Sequence, residues 1–363
     1  MKILIISTHP LNDNRIKKHI RRLLSNGYEI TYVNCSESKK ADFVLTEKIE
    51  LIHFNISYEK KNLIKVFLNY IKIRKLINKI DAEIIHVHDP IFISLFKKAK
   101  KRGMMTVFDK HERYETIRDF NARVATRLEY KNRKFIDGVA FVTKEQIEYL
   151  KSIGIENLKH IPNFQSKYDY PQKLLKEDIN RVKLIYMGDL SSQTRDIVLM
   201  LHVIKDLLKQ KSNIEVILGG QGLDKESHDI VNGLAELYSN FIYYGYMKYD
   251  DVIKHTLDSD IGFYFTKDHP NNYNSSPNKI YEYLISGCIL VGVGKFADHD
   301  LIHQQCGLIF DYNTRVDIIV TEIIKLIDDK NKMKDFKEKA KSLGESFTWE
   351  SVESRYIDLY NKK

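Results

Sequence analysis

Short apolar runs alternate with longer amphipathic stretches along the whole chain. In the first half, runs rich in Ile and Val predict β-strands at Ile3–Ile6, Ile30–Val33, Ile84–Val87, Thr106–Phe108 and Val139–Val142. Apolar residues at helical spacing fill the intervals, as in Arg15–Leu24, Leu63–Ile80 and Ile91–Lys101. This alternation of strands and helices predicts a mostly parallel sheet with helices on both faces.

The same pattern restarts after a break in the middle of the chain. Pro162-Asn163, Pro171 and the polar stretch Leu175–Arg181 form the break. The later strand candidates are Val182–Met187, Ile214–Leu218, Phe241–Tyr243, Ile261–Phe265, Ile289–Gly292 and Leu308–Phe310. Helices are predicted between them at Ile197–Lys209 and Asn278–Ile285, and at the end at Lys332–Leu343 and Glu350–Tyr360.

Two similar α/β halves predict two domains. We expect an N-terminal domain over residues 1–165, a linker over 166–181 and a C-terminal domain over 182–347, with the final helix, within 348–363, packing back on the first domain. Parallel sheets bind ligands at the carboxyl ends of their strands. A cleft between two such sheets is therefore expected to bring two substrates together.

Composition narrows the class of protein. The chain has 363 residues, 43% hydrophobic and 29% charged, as expected of a folded protein with real cores. Its three cysteines, Cys35, Cys288 and Cys306, lack metal-site spacing and predict reduced thiols in the cytoplasm. The apolar start MKILIIS is too short for a signal peptide, and no apolar run is long enough to span a bilayer.

Positive charge is concentrated in the first domain. Residues 1–159 carry 32 Lys+Arg and 19 Asp+Glu, a net charge of +13, against −4 for the remainder. The basic residues form three clusters on or beside predicted helices. These are Arg15-Lys17-Lys18-Arg21-Arg22, Lys60-Lys61-Lys65-Lys72-Arg74-Lys75 and Lys97-Lys98-Lys100-Lys101-Arg102. We expect this domain to contact an anionic membrane surface, and not nucleic acid, because no recognition motif accompanies the charge.

Polar segments follow several predicted strands of the first half. The turn Ser7–Arg15 joins a strand to a helix without any glycine, which disfavours a dinucleotide-binding loop. His86 and His88 point to one face of a strand. With Asp89 beside them they could form a cluster resembling a metal site, although no third ligand for the two histidines is recognisable elsewhere. His111, between charged neighbours at a strand end, could contact a sugar or move a proton.

The second half carries small-residue turns and one informative helix. Gly188 and the GGQG turn allow close backbone approach, and Arg195 is expected beside a helix N-terminus, where it could bind a diphosphate. In SSPNKIYEYLISG, Ser276 is the expected N-cap and Pro277 the first helical residue. Lys279 and Glu282 share a helix face, which could offer a cation to phosphate and a carboxylate to ribose.

Taken in order, these motifs resemble the retaining glycosyltransferases of family 4, which have the GT-B fold. The resemblance runs from STHPLNDNR through IIHVHDP, FDKHE and HIPN to MGDL, GGQG, SSPNKIYEYLISG and FTWESVESRYIDLY. It implies an α/β protein of GT-B type, with two Rossmann-like domains whose parallel sheets face an interdomain cleft. It also implies transfer of a sugar from a UDP- or GDP-sugar to a glycan or lipid-linked acceptor, as in bacterial surface polysaccharide synthesis.

The resemblance also assigns roles to residues. Glu282 matches the glutamate that binds the donor ribose, Arg195 matches one of two diphosphate-binding cations, and His111 matches a histidine near the reacting sugar. The other implied donor-binding residues are Gly188, Gly220, Asn274, Ser276, Pro277, Asn278 and Lys279. The residues implied near the acceptor or the sugar are His9, Asn14, His88 and Glu112.

Two positions depart from the family pattern. Asn274 stands where the first glutamate of the Glu-x7-Glu motif is expected, and Asp189 stands where the first cation is expected. Lys279 is expected to compensate, so that Arg195, Lys279 and helix-end amides stabilise the leaving diphosphate without a metal or other cofactor. Two alternatives stay open: a nucleotide-sugar epimerase of GT-B fold, and a noncatalytic subunit that only binds a nucleotide or an acidic polymer.

Overall fold

A computed structural model describes residues 1–11, 13–36, 48–54, 63–117, 120–170, 181–193, 195–269, 272–273 and 275–361. These residues form two compact units. The first comprises Met1–Pro162 and Val352–Lys363, and the second comprises Asn163–Ser351. The predicted linker 166–181 lies outside the described residues for most of its length.

The first unit has a seven-stranded parallel sheet in the order β3-β2-β1-β4-β5-β6-β7. Its strands are β1 Lys2–Ser7, β2 Glu29–Asn34, β3 Ile49–His53, β4 Ile84–Val87, β5 Met105–Lys110, β6 Gly138–Phe141 and β7 Leu158–His160. Its helices in this part of the chain are α1 Asn14–Ser25, α2 Leu63–Leu76, α3 Phe96–Lys101, α4 Phe120–Asn132 and α5 Gln146–Ser152. The hydrophobic pattern did not predict β3 and β7, where polar residues interrupt the apolar ones.

The second unit has a six-stranded parallel sheet in the order β10-β9-β8-β11-β12-β13. Its strands are β8 Val182–Met187, β9 Ile214–Gly219, β10 Phe241–Tyr243, β11 Ile261–Phe265, β12 Ile289–Val293 and β13 Gly307–Phe310. Its helices are α6 Ile197–Gln210, α7 Lys225–Leu237, α8 Tyr249–Leu257, α9 Asn278–Ile285, α10 His299–Gln305, α11 Val316–Asp328 and α12 Lys330–Ser346. The prediction of two parallel α/β sheets is confirmed.

The last helix, α13 Ser354–Tyr360, belongs to the first unit. It packs beside α1 and against the end of the sheet at β6 and β7. Tyr356 and Leu359 are fully buried there, and Arg355 donates a hydrogen bond of 2.6 Å to the backbone oxygen of His160. This terminal segment is therefore part of the first unit's core.

Three local predictions differ from the structure. The segment expected as one helix over Glu350–Tyr360 is a 3-10 turn, Trp349–Ser351, followed by α13. The segment expected as one helix over Ile91–Lys101 is a tight 3-10 helix, Pro90–Leu95, followed by the short α3. The helix α9 begins at Asn278, with Pro277 rather than Ser276 at the cap position. The Ser276 hydroxyl lies 3.1 Å from the Tyr281 hydroxyl and caps nothing, so the predicted N-cap is wrong.

Candidate functional site

Polar side chains collect at the carboxyl ends of β1, β4 and β5 in the first unit. The turn after β1 is tied to the end of β4, because Thr8 donates from its backbone nitrogen and its hydroxyl to Asp89, at 2.7 and 2.5 Å. Asp13 caps α1 by accepting from the backbone nitrogens of Arg15 and Ile16. These bonds fix the turn that carries His9 and Asn14, the first residue of α1.

His111 lies within a group of histidines at this edge. Its Nε2 is 3.0 Å from Nδ1 of His88, and its ring stacks on His9 with centroids 5.4 Å apart. The structure thus brings together three of the residues predicted from the sequence. Glu112 is exposed, and its backbone oxygen accepts from Gln146 at 3.1 Å.

Asp109 is the charged centre beneath this group. Its carboxylate accepts from Arg15 Nε and Nη2 at 3.0 and 2.7 Å and from the Tyr356 hydroxyl at 2.6 Å. It also lies 3.4 Å from Nδ1 of His88 and 3.7 Å from Nε2 of His111. Burial acts to raise the pKa of Asp109, but the Arg15 charge and the neighbouring imidazoles outweigh it and hold that pKa well below its usual range. The carboxylate is therefore ionised at neutral pH.

Burial lowers the pKa of His111 to about 4, although Asp109 acts in the opposite direction. The imidazole is therefore neutral at pH 7 and can accept a proton or a hydrogen bond. Because one of His88 and His111 must donate across the 3.0 Å contact, the two rings share a fixed tautomeric relationship. A neutral, oriented imidazole suits contact with an uncharged hydroxyl of a sugar.

Sequence reasoning missed several members of this network. Tyr360, on α13, hydrogen bonds at 2.7 Å to both His19 Nε2 and His86 Nδ1. Arg15 was counted only as part of a basic surface cluster, and Tyr356 carried no assignment. The signal available was the i,i+4 spacing of Tyr356 and Tyr360 on the last helix.

Two triads among the described residues have the composition of a metal site. His19, His86 and His88 form one, and His88, Asp109 and His111 form the other, with ligand atoms within 4.8 Å of one another in each. The carboxylate near His86 and His88 is Asp109, whereas the expected partner, Asp89, is bonded to Thr8. Since Arg15 already binds both oxygens of Asp109, a cation at the second triad would meet a competing positive charge.

The second unit gathers its predicted residues around the turn after β8. Gly188 and Gly220 have φ of +146° and +141°, which favour glycine, and a Cβ on Gly220 would collide with the backbone oxygen of Gly188. The Lys279 ammonium donates to the backbone oxygen of Met187, immediately before the turn, and lies 4.7 Å from the centre of the Tyr186 ring. One cation is thereby placed directly at the turn.

Arg195 provides a second cation on this side of the sheet. Its Nη1 donates to Asn272 at 3.2 Å, and its guanidinium lies 5.0 Å from the centre of the Tyr264 ring. Burial lowers the pKa of Lys279 to about 8, the Glu282 carboxylate opposes that shift, and the Arg195 charge adds to it. The two cations are therefore close enough to repel each other, as expected at a site that awaits an anion.

Asp189, at the position of the missing cation, has a local structural role. Its carboxylate accepts from the Ser191 backbone nitrogen and hydroxyl at 3.0 and 2.8 Å. The Tyr186 hydroxyl bonds to its backbone oxygen at 2.6 Å. These contacts stabilise the turn and hold an exposed negative charge beside it.

Glu282 is buried on the first turns of α9, where Tyr249 donates to Oε1 at 3.4 Å. Tyr249 also bonds to Tyr170 and Gln165, at 3.3 Å each. Burial, followed by the charge of Glu282, raises the pKa of Tyr249, so this phenol remains a donor. Asn278, the first residue of α9, is exposed, and Asn274 lies outside the described residues.

Comparison with known proteins places this arrangement in a family. A model described as Glycosyltransferase Family 4 matches residues 14–164, and a model described as Glycosyl transferases group 1 matches residues 170–343. Among curated proteins, none matches the chain.

Several solved structures share the fold over nearly the whole chain. Sucrose-phosphate synthase from Thermosynechococcus elongatus is 12% identical, with 99% of this chain and 98% of that chain covered and a TM-score of 0.76. TarM from S. aureus, solved with UDP, is 13% identical, with full coverage of both chains and a TM-score of 0.72. HepE from Anabaena, solved with UDP-glucose, is 17% identical, with 99% and 98% covered and a TM-score of 0.68. The two family matches, taken with this shared fold, show that the chain belongs to the family 4 glycosyltransferases of GT-B fold.

Proposed function

We propose that the protein transfers a sugar, with retention of configuration, from a nucleoside-diphosphate sugar to a glycan or lipid-linked glycan. Surface polysaccharide synthesis in the bacterial cytoplasm, at the inner face of the cell membrane, is the setting that fits such an acceptor. A uridine diphosphate sugar is the first candidate donor, because the similar TarM and HepE structures contain UDP or UDP-glucose. A GDP-sugar is the alternative donor.

The observation that carries the proposal is the placement of Lys279 and Arg195 around the Gly188 turn. As the glycosidic bond breaks, the leaving diphosphate gains negative charge, and fixed cations stabilise that charge in the transition state. Lys279 stands at the turn through its bond to Met187. A phosphate oxygen that replaces this carbonyl as the acceptor would gain a charge-assisted bond.

The first unit supplies the remaining chemistry in this proposal. The neutral His111 binds a hydroxyl of the transferred sugar, while Asp109 and His88 keep its ring oriented. The acceptor hydroxyl attacks the anomeric carbon on the face that the diphosphate leaves, which gives retention. Its proton passes to the departing phosphate oxygen, so atoms and charges balance without a metal ion.

One observation favours a second candidate. Asp189 puts an acidic side chain beside the proposed phosphate site, which would weaken stabilisation of the leaving diphosphate, as expected of a subunit that binds a nucleotide or polymer without turnover. A radiolabelled donor separates the candidates. Label that reaches an acceptor fraction supports transfer, a labelled nucleotide sugar with altered stereochemistry supports an epimerase, and bound but unchanged donor supports the noncatalytic subunit.

The direct test is nucleotide binding by calorimetry with Lys279→Met. We expect UDP or GDP to bind the natural protein and to lose affinity on the order of tenfold or more with this variant, because a charge-assisted bond contributes about 1.5–3 kcal/mol. Lys325→Met is the matched control, since that ammonium pairs with Glu322 on the surface of α11 at 2.7 Å. Equal affinity in all three proteins would refute the assignment.

Metal independence is tested in the same preparation once a donor is known. Activity should persist in excess chelator. Activity that disappears with chelator and returns with magnesium or manganese would overturn the metal-free mechanism while leaving sugar transfer itself established.

A further inference from the structure

Three neighbouring helices of the first unit offer an almost acid-free surface. Together α2, α3 and α4 contain eleven Lys and Arg residues and one acid, Glu129. That acid is buried, with its carboxylate 2.6 Å from the Lys110 ammonium. The described part of these helices therefore presents no exposed carboxylate to solvent.

These helices lie on one face of the sheet. Right-handed crossovers place the helices that connect β3 to β4, β4 to β5 and β5 to β6 on the face opposite α1. Direct contacts agree, because Tyr70 of α2 bonds to Ser94 of the 3-10 helix at 2.7 Å, and α4 packs against that same 3-10 helix. The three helices thus form one continuous layer.

Apolar side chains project outward from this layer. The large exposed apolar residues among the described part of the first unit are Met1, Phe67, Leu68, Phe120, Val124 and Tyr130. Five of these six lie on α2 or α4, and Phe120 and Phe67 are 78% and 62% exposed. Aromatic groups left in water among cations are typical of a helix that lies at a membrane interface.

The basic clusters expected from the sequence are corrected by the structure. Arg15 and Lys18 are buried, and Arg22 pairs with Glu353 at 3.1 Å, so the α1 cluster is largely internal. In the α3 cluster, Lys98 donates to the backbone oxygen of Arg74 and Lys100 pairs with Asp137. Lys60 and Lys61 of the α2 cluster lie outside the described residues.

The exposed cations lie beside the exposed apolar side chains. On α2, α3 and α4 they are Lys72, Arg74, Lys75, Lys97, Lys101, Arg123, Arg127 and Lys131. Arg123 and Arg127 are one helical turn apart, so they share a face of α4, and both line a cavity of about 410 Å³ together with Tyr114 and Tyr149. Glu115 also lines this cavity, and its carboxylate lies 3.1 Å from the Lys110 ammonium. A lipid phosphate could contact both guanidinium groups there.

The α12 helix of the second unit provides a contrast. It is also rich in lysine, but Asp335, Glu338 and Glu345 interrupt the charge, and Lys339 pairs with Asp335 at 2.6 Å. Large apolar side chains of α12 are not among the exposed ones. Among the described helices, the combination of exposed cations, exposed aromatic side chains and no exposed carboxylate is therefore particular to the α2–α4 layer.

We propose that the α2–α4 layer is the face by which this protein binds an anionic lipid bilayer. Phe67, Phe120 and Val124 enter the interface, and the surrounding cations contact lipid phosphates. No described helix is long and apolar enough to cross a membrane. This proposal rests on the membrane location given in the proposed function and adds the surface that makes the contact. Its test measures membrane binding alone and does not require sugar transfer.

The experiment is co-sedimentation of the full chain with vesicles. Vesicles of phosphatidylglycerol and phosphatidylcholine should bind the protein at low salt, release it at high salt, and bind far more than pure phosphatidylcholine vesicles do. Protein that stays in the supernatant with anionic vesicles at low salt would overturn the proposal, whatever its enzymatic activity.

Paired variants locate the surface. Arg123→Glu with Arg127→Glu should reduce vesicle partitioning by about tenfold or more, because each basic residue at an anionic surface contributes roughly fivefold. Separately, Phe120→Ser with Val124→Ser should reduce it by about tenfold or more, because both changes remove apolar area that would be buried in the interface. The matched controls are Lys330→Glu with Lys334→Glu on α12 and Leu237→Ser on α7, which should bind like the natural protein. If an α4 variant fails to fold, Lys72→Glu with Lys75→Glu tests the same layer.

A fluorescence measurement separates a bilayer from other polyanions. Phe120→Trp adds an exposed indole against a constant background from the buried Trp349. Its emission should shift to shorter wavelength when anionic vesicles are added. It should not shift when single-stranded RNA is added at the same total concentration of negative charge. Equal binding to RNA without any shift on vesicles would identify a nucleic-acid surface instead, and unchanged vesicle binding by both α4 variants would refute the assigned face.

Discussion

The Tyr356 hydroxyl lies 2.6 Å from Oδ2 of Asp109, although 247 positions separate the two residues in the sequence. This bond joins the last helix to the charged centre beneath His111. Asp109 also binds Arg15, so one buried carboxylate connects α1, β5 and α13. The orientation of the histidine group therefore depends on the last helix, α13.

Removal of that hydroxyl should weaken the first unit. Tyr356→Phe leaves a buried carboxylate with one fewer donor, and we expect the free energy of unfolding to fall by about 1–3 kcal/mol. Chemical denaturation measures the change. Tyr28→Phe is the control, because this tyrosine packs beside Tyr360, with ring centres 6.0 Å apart, and should change stability by less than about 0.5 kcal/mol. Equal losses in both variants would contradict the role of the Asp109 bond.

Acid should destabilise the first unit before the carboxylates titrate. Burial lowers the pKa values of His19 and His88, of His86 to about 3 and of His111 to about 4. The unfolded chain therefore binds more protons than the folded chain below about pH 6.5, and stability falls as the pH decreases from there toward 4. Denaturation at pH 7 and pH 5 should differ by a few kcal/mol.

One substitution tests the source of that pH dependence. His86→Gln should make the difference between pH 7 and pH 5 smaller, because one buried group no longer gains a proton on unfolding. His202→Gln, at an exposed position of α6, should leave it unchanged. A pH dependence that is the same in His86→Gln as in the natural protein would exclude His86 as a source of it.

Glu282 is predicted to bind the ribose of the donor. Glu282→Ala should weaken nucleotide binding by about 1.5–3 kcal/mol, since bonds to a charged acceptor are lost. Calorimetry measures this, with Glu236→Ala on the exposed side of α7 as the control. Because Tyr249 also bonds to Glu282, the competing role is structural. A lower melting temperature with full nucleotide affinity would support that structural role and reject ribose binding.

His111 is predicted to serve the transferred sugar. His111→Ala should lower kcat by about a hundredfold or more while the affinity for the nucleoside diphosphate stays within about twofold, since the residue lies in the first unit and the phosphate cations in the second. Comparison of turnover with calorimetric affinity gives the answer. Parallel losses of turnover and affinity would argue instead for a general disturbance of the fold.

The parts of the structure that the sequence predicted well depend on short-range patterns. Val182–Met187 and Phe241–Tyr243 are strands with the predicted ends, because each is a mainly apolar segment bounded by polar residues. His88 and His111 were expected only as separate candidate residues, and the structure brings them together because β4 and β5 pair in parallel and end at the same edge. The order of motifs also sufficed for the family, which the comparisons confirm.

The parts that could not be predicted depend on contacts between distant segments. Nothing local marks Arg15 as the partner of Asp109 rather than as one more surface cation beside Lys17 and Arg21. The wrong N-cap at Ser276 has a similar cause, since its hydroxyl bonds to Tyr281 instead. Burial decides such choices, and burial is a property of the packed unit.

The noncontiguous make-up of the first unit has a consequence for synthesis. Residues 163–351 form a unit of their own, and the segment from Val352 that completes the first unit is translated after them. Until that segment leaves the ribosome, Asp109 lacks Tyr356, and His19 and His86 lack Tyr360. Domains normally fold in the order in which they emerge, but here the unit that begins first must finish last.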